Sequence, residues 1–193
     1  QRRRTRHRGT GDAPRVRQEL LPFAGTVNDR LAACGFPLCK GKVMAGNPEW
    51  CLSLAEWRRV FSGWLEEPVP EALLNASIFF DLRPLWGSET LAGQLRHEVL
   101  ATARERPLFQ RLMAQNALLS RPPLGRIRDF VFRRAREFGR TIELKVSGSR
   151  IFADAARVLA LTHGVPDTST TERLRALAGP LHFGDEELRA MVD

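Results

Sequence analysis

The stretch "PEALLNASIFFDLRPL", residues 70 to 85, decides the fold class. Read as a helix, it places Leu73, Leu74, Ser77, Ile78, Phe80 and Asp81 on adjacent positions of a 3.6-residue repeat. Read as a strand, "SIFFDLR" alone supplies the short apolar run that a buried strand needs. Pro70 and Glu71 make a good helix start, and nothing breaks the run behind them, so a helix is expected. In either reading Asp81 and Arg83 stand among Ile78, Phe79, Phe80, Leu82 and Leu85, where a charge needs a partner or a metal. Two roles are open to Asp81: half of a structural ion pair, or a carboxylate that meets a nucleotide or metal.

Working outward, helix signals dominate. Asp12 and Pro14 suit the start of a helix running towards Cys34 through Leu20, Phe23, Val27 and Leu31, with Pro22 expected to kink or restart it and Gly35 to close it. "PLCKGKVMAGNP" reads as a short strand leading into a Gly-Asn-Pro turn. Ser53 and Glu56 have capping-box spacing ahead of Trp57, Val60, Phe61 and Trp64. Ser88 opens a helix through Leu91, Leu95 and Val99, and Pro107 opens one through Leu112 and Leu118. "IRDFVFRRAREFGRTIELKVSG" changes to alternating apolar residues around Gly139, a hairpin pattern over 127–146. "IFADAARVLALTHG" is an amphipathic helix, Ser169 and Glu172 repeat the capping-box spacing, and Asp185 caps a last helix.

The 193 residues suffice for one domain or two small ones, and 43% hydrophobic with 27% charged residues is a globular balance. No apolar run approaches the roughly 18–20 residues that cross a bilayer, and no signal peptide is visible, so the expected setting is cytoplasmic, without a membrane partner. Cys34, Cys39 and Cys51 show neither an even disulfide framework nor paired zinc spacing. Seven arginines and one aspartate among residues 1–17 supply six of the eight net positive charges, which leaves +2 on everything else. Residues 1–11 are an apolar-poor basic arm expected to be disordered, and without interleaved aromatics they are no module for a specific nucleic acid. A second cluster, "RPPLGRIRDFVFRRAREFGR", sets seven arginines against Asp129 and Glu137. The four histidines lack metal-ligand spacing, and no Ser-His-Asp or Cys-His pairing can be defended. "SGSRIFADAARV" resembles a nucleotidyltransferase Gly-Ser turn, but only Asp154 follows it and no D-x-D occurs in the chain, so a Gly-Ser helix start is the better reading.

Several long segments in order carry a resemblance: "CKGKVMAGNPEWCLSLAEWRRVFSGWLEEPVPEALLNASIFFDLRPLWGSETLAGQL", "ALLSRPPLG", "IELKVSGSRIFADAARVLAL" and "TSTTERLRAL". Over residues 19–193 the chain resembles bacterial nucleotidyltransferases related to the N-terminal region of PII-protein uridylyltransferase, with their C-terminal substrate-binding domain. The resemblance implies a polymerase-β-like fold and magnesium-dependent transfer of a nucleotidyl group from an NTP to a protein or small acceptor. It also implies cyclic-nucleotide-binding and CBS domains as regulatory partners.

The family's G-S-x-x-R-x-E and D-Q-D segment has no counterpart here, since "RRRTRHRGTGDAPR" stands in its place. The expectation is therefore a chain that does not transfer nucleotides alone. The alternative is a non-catalytic module that binds a nucleotide or a protein. The expected fold class is mixed α/β and mainly helical. A truncated polymerase-β-like remnant would occupy 12–104, and a helical domain with one β-hairpin would occupy 105–193. Asp81 is the catalytic candidate. Asn47, Arg83, Arg133 and Arg134 are the candidates for nucleotide contact, because guanidinium groups bond phosphate oxygens in bidentate fashion and an Asn in a turn can bond a ligand or its own backbone.

Overall fold

The computed structural model describes residues 12–120, 133–135, 139–141 and 148–192. Eight helices lie among them: α1 (Ala13–Ala33), α2 (Leu54–Glu66), α3 (Pro70–Phe79), α4 (Glu89–Arg104), α5 (Pro107–Leu118), α6 (Arg150–His163), α7 (Thr170–Ala178) and α8 (Asp185–Val192). The chain divides into two compact units, Gln1–Arg59 and Val60–Asp193.

The mixed α/β expectation does not hold, because the fold is helical. Residues 12–120 contain no strand, so no polymerase-β-like sheet remnant is present there. The expected strand in "PLCKGKVMAGNP" is coil and turns, whose amides bond locally: Lys42 to the Cys39 carbonyl at 2.9 Å and Asn47 to that of Met44 at 2.9 Å. A strand needs a neighbouring strand to accept its hydrogen bonds, and here two amides bond within the segment while that of Gly46 bonds to the Asn28 side chain. The extended pairing among the described residues is a three-residue antiparallel ladder, β1 (Arg133–Ala135) against β2 (Gly139–Thr141). It is too short to form a layer of the fold, and the rest of the expected 127–146 hairpin lies outside the described residues, as does the 1–11 arm.

In the first unit, polar bonds tie the elements together. Helix α1 runs unbroken through Pro22 and ends in a Schellman arrangement: Gly35, at φ +95°, donates to the Ala32 carbonyl, and Phe36 donates to that of Leu31. Asp12 makes no side-chain cap and instead pairs with Arg15 at 3.5 Å. Gly46 passes close to α1, donating its N–H to Asn28 Oδ1 at 2.9 Å. A Cβ on Gly46 would lie 3.0 Å from that oxygen and 3.1 Å from the Gly25 Cα, so only glycine fits without a shift.

The Ser53–Glu56 capping box forms as its spacing requires. Glu56 Oε2 accepts from the Ser53 amide and hydroxyl, both at 2.8 Å, and the Glu56 amide donates back to Ser53 Oγ at 3.3 Å. The other carboxylate oxygen takes the Arg17 guanidinium, whose Nε also donates to the Cys51 carbonyl at 2.7 Å. Glu56 thus fastens α1 to the start of α2.

In the second unit, apolar faces meet. An aromatic series of Trp64, Phe61, Phe80 and Phe109 has neighbouring ring centroids 5.1–6.0 Å apart. Leu95, Val99, Leu100 and Ala103 of α4, Phe109 and Met113 of α5, Ala156, Ala160 and Leu161 of α6 and Leu174 and Leu177 of α7 complete the core. Helix α6 packs against α4, α5 and α7, which makes it the central element. It ends at Gly164 (φ +71°), on which the Arg104 side chain rests. Ser169 occupies the N-cap of α7, but the expected second capping box is not made: Glu172 turns to Arg175 at 2.6 Å, a charged partner one helical turn away.

The Arg17 guanidinium and the Ser53 amide and hydroxyl hold the Glu56 carboxyl down at about 2, against an ordinary 4.5. A depressed carboxyl pKa stabilises the fold above the unfolded value and loses that stabilisation as pH falls through the folded one. The junction of α1 and α2 should therefore weaken between about pH 4.5 and pH 2. Circular dichroism during acid titration should show the loss, and Glu56→Gln should remove its pH dependence while lowering stability at pH 7 by about 1 kcal/mol.

Candidate functional site

Helix α3 ends where the quoted stretch turns polar. Phe80 is its C-cap, the Asp81 and Leu82 amides bond back to Ile78 and Phe79, and the chain leaves the helix with Asp81 directed at α6 and α7. One Asp81 oxygen lies 2.6 Å from Arg157 Nη2, and the other lies 2.6 Å from Arg173 Nη2. Arg157 also reaches Asp154 on its own helix at 2.6 Å, and Asp154 takes Arg150 at 3.3 Å. Arg173, 4% exposed, sends its Nε to the Asp167 carbonyl at 2.7 Å. Arg96 of α4 donates Nη2 to the Leu82 carbonyl, and its enclosed Nε has no hydrogen-bond partner.

Electrostatics separate the two arginines that hold Asp81. Burial lowers the Arg173 pKa, and the neighbouring Arg157 and Arg96 charges add to the lowering, with Asp81 opposing. Burial also acts against the Arg157 charge, but Asp81 and Asp154 together outweigh it and its pKa is raised. The difference is that two carboxylates serve Arg157, whereas Arg173 shares one.

These residues do not fit a magnesium site. Mg²⁺ requires near-octahedral oxygen ligands at about 2.0–2.1 Å. Both oxygens of Asp81 are bonded to guanidinium groups, as are both of Asp154. Among the described residues no group of three or more His, Cys, Asp or Glu is arranged to hold a metal ion.

The other sequence candidates are scattered. Asn47 is used within its own loop: Nδ2 donates to the Lys42 carbonyl at 3.0 Å and Oδ1 accepts from the Glu49 amide at 3.1 Å, an Asx turn. Arg83 is exposed on the α3–α4 loop, whose tip leaves Leu85 90% and Trp86 96% exposed. Arg133 and Arg134 stand opposite Thr141 and Arg140 in the ladder, and their side chains lie outside the description.

Sequence reading missed Arg96, Arg157 and Arg173. A signal existed for two of them. Arg157 stands three residues after Asp154, a helical pairing distance, and Arg173 shares the apolar face of α7 with Leu177, four residues on.

Two family models match the chain. Residues 8–71 match "Putative nucleotidyltransferase DUF294", and residues 107–193 match "Putative nucleotidyltransferase substrate binding domain". The chain belongs to this nucleotidyltransferase family. No curated protein and no solved structure matches it. The substrate-binding match contains α5 to α8, and so both arginines that hold Asp81. Among the described residues no helix is long and apolar enough to cross a membrane.

Asp81→Ala leaves Arg157 short of one carboxylate and the buried Arg173 charge with none. Removing one partner of such a buried pair costs about 3 kcal/mol. The urea midpoint should fall accordingly, with the second unit still folded at low denaturant. An unchanged midpoint would mean that the two arginines do not depend on Asp81.

Proposed function

We propose that this chain is the substrate-recognising part of a nucleotidyltransferase, and that it binds a nucleoside triphosphate without transferring its nucleotidyl group when alone. The observation that carries the proposal is the occupation of Asp81. The acidic residue nominated for catalysis is bonded through both oxygens to Arg157 and Arg173, two arginines that lie within the region matching a substrate-binding domain. A carboxylate held in this way is already neutralising two guanidinium groups, which disfavours its use as a magnesium ligand. A surface rich in guanidinium groups does suit a polyphosphate, which it meets with paired, charge-assisted hydrogen bonds. The proposed activity of the family remains magnesium-dependent transfer to a protein or small acceptor, as in the uridylyltransferase-like enzymes, with the present chain supplying recognition.

The test pairs binding with turnover. Calorimetric titration with ATP, UTP, GTP and CTP in the presence of magnesium should give saturable binding of at least one. Incubation with the same α-labelled nucleotides and candidate acceptors should leave no label covalently attached. Magnesium-dependent labelling would overturn the non-catalytic reading, and absence of binding by all four nucleotides would overturn the recognition reading.

A further inference from the structure

We propose that the cleft bordered by α4, α6 and α7 is a phosphate-binding site in which Arg96, Arg157 and Arg173 receive one phosphoryl group. This rests on the reading above that the chain binds nucleotides, and it names the part of the nucleotide that is held and the residues that hold it. The cleft is lined by Phe80, Leu100, Ala160 and Leu161 on its apolar side, and by the three arginines and Asp167 on its polar side.

Three observations converge there. The first is charge. Of the three arginines that line the cleft, Arg157 and Arg173 bond the Asp81 carboxylate and Arg157 also bonds that of Asp154, whereas among the described residues Arg96 bonds no carboxylate and donates to the Leu82 carbonyl. Asp167 also lines the cleft, but Arg173 bonds its main-chain carbonyl rather than its carboxylate. A partly buried cation without a bonded carboxylate calls for an anion.

The second is an orphan donor. Arg96 Nε is enclosed and has no hydrogen-bond partner, although Arg96 lines the cleft. A buried N–H without an acceptor is rare in folded proteins and points to a missing ligand or water. The lowered pKa of Arg173, caused by burial and then by Arg157 and Arg96, with Asp81 opposing, agrees with cations crowded together.

The third is shape. Asp81 holds Arg157 Nη2 and Arg173 Nη2 each at 2.6 Å from its two oxygens, which sets the two guanidinium groups side by side before any ligand arrives. Their remaining N–H groups are planar donors of the kind that suits phosphate oxygens. The cleft measures about 200 Å³ counting its open mouth. That is below the roughly 300–1,000 Å³ typical of sites that enclose a whole small molecule. Its enclosed part admits only a water-sized group, so a phosphoryl group would enter with one oxygen and keep the others at the mouth, where the nucleoside would remain outside.

Inorganic phosphate is the first probe, with chloride at equal ionic strength as the control. Phosphate should raise the thermal midpoint of the full chain above the chloride value, and it should compete with the nucleotide in calorimetry, whereas adenosine should not. Arg96→Gln should weaken phosphate binding at least tenfold. Asp167→Asn, which removes a negative charge from the cleft wall, should strengthen it several-fold, and it guards against a result caused by misfolding of the arginine variant. If a nucleotide binds but phosphate acts no differently from chloride, the phosphate site is overturned and the nucleotide reading stands. Unchanged phosphate affinity in both variants likewise overturns this site. If neither phosphate nor any nucleotide binds, both readings fall.

Discussion

The second unit depends on one carboxylate. Asp81, just beyond the end of α3, is bonded to Arg157 of α6 and Arg173 of α7, so a single side chain joins three helices. The constraint is asymmetric. A satisfied ion pair in a partly buried setting adds little over a well-packed apolar group, but half of one is costly because the remaining charge is stranded. Two guanidinium groups rely on Asp81, and one of them is almost fully buried. The apolar core around Phe80 and Phe109 then fixes where that carboxylate lies, because Phe80 immediately precedes it and packs within 5.9 Å of Phe109, ring centre to ring centre.

The two units are built on different physics. Among the described residues of Gln1–Arg59 no side chain is buried, and α1 leaves Leu20, Phe23, Val27 and Leu31 exposed at helical spacing. Its cohesion comes from directed bonds: Glu56 with Arg17 and Ser53, Asn28 with Gly46, and Asn47 within its turn. Net contributions of such bonds are small because water competes for the same groups. The second unit buries aromatic and aliphatic surface and can carry the desolvation of Arg173 within it.

That difference bears on how the charge of the protein is read. Most of the net positive charge belongs to residues 1–17, and the remainder of the chain is close to neutral. The local arrangement differs from that average. Arg157 and Arg173 share the Asp81 carboxylate, Arg157 also bonds Asp154, and Arg96 bonds the Leu82 carbonyl, so guanidinium groups crowd where low dielectric surroundings strengthen their interactions.

The sequence by itself determined the local elements. Pro70, Pro107, Ser53 with Glu56, and the glycines at 35 and 164 mark helix boundaries through backbone chemistry that acts within a few residues, and the helices begin or end there. The family was also legible, because its long segments occur in order along the chain. Strand formation was not, since a strand in residues 37–48 would have needed an acceptor elsewhere in the chain, and turn bonds take the Lys42 and Asn47 amides while Asn28 takes that of Gly46. The ion-pair node was likewise invisible. Asp81 and Arg157 are 76 residues apart, and no periodicity relates positions on different helices. Only the packing of α6 between α4 and α7 brings Arg157 and Arg173 to one carboxylate and Arg96 to the same cleft, because side chains remote in sequence become neighbours when apolar faces are buried together.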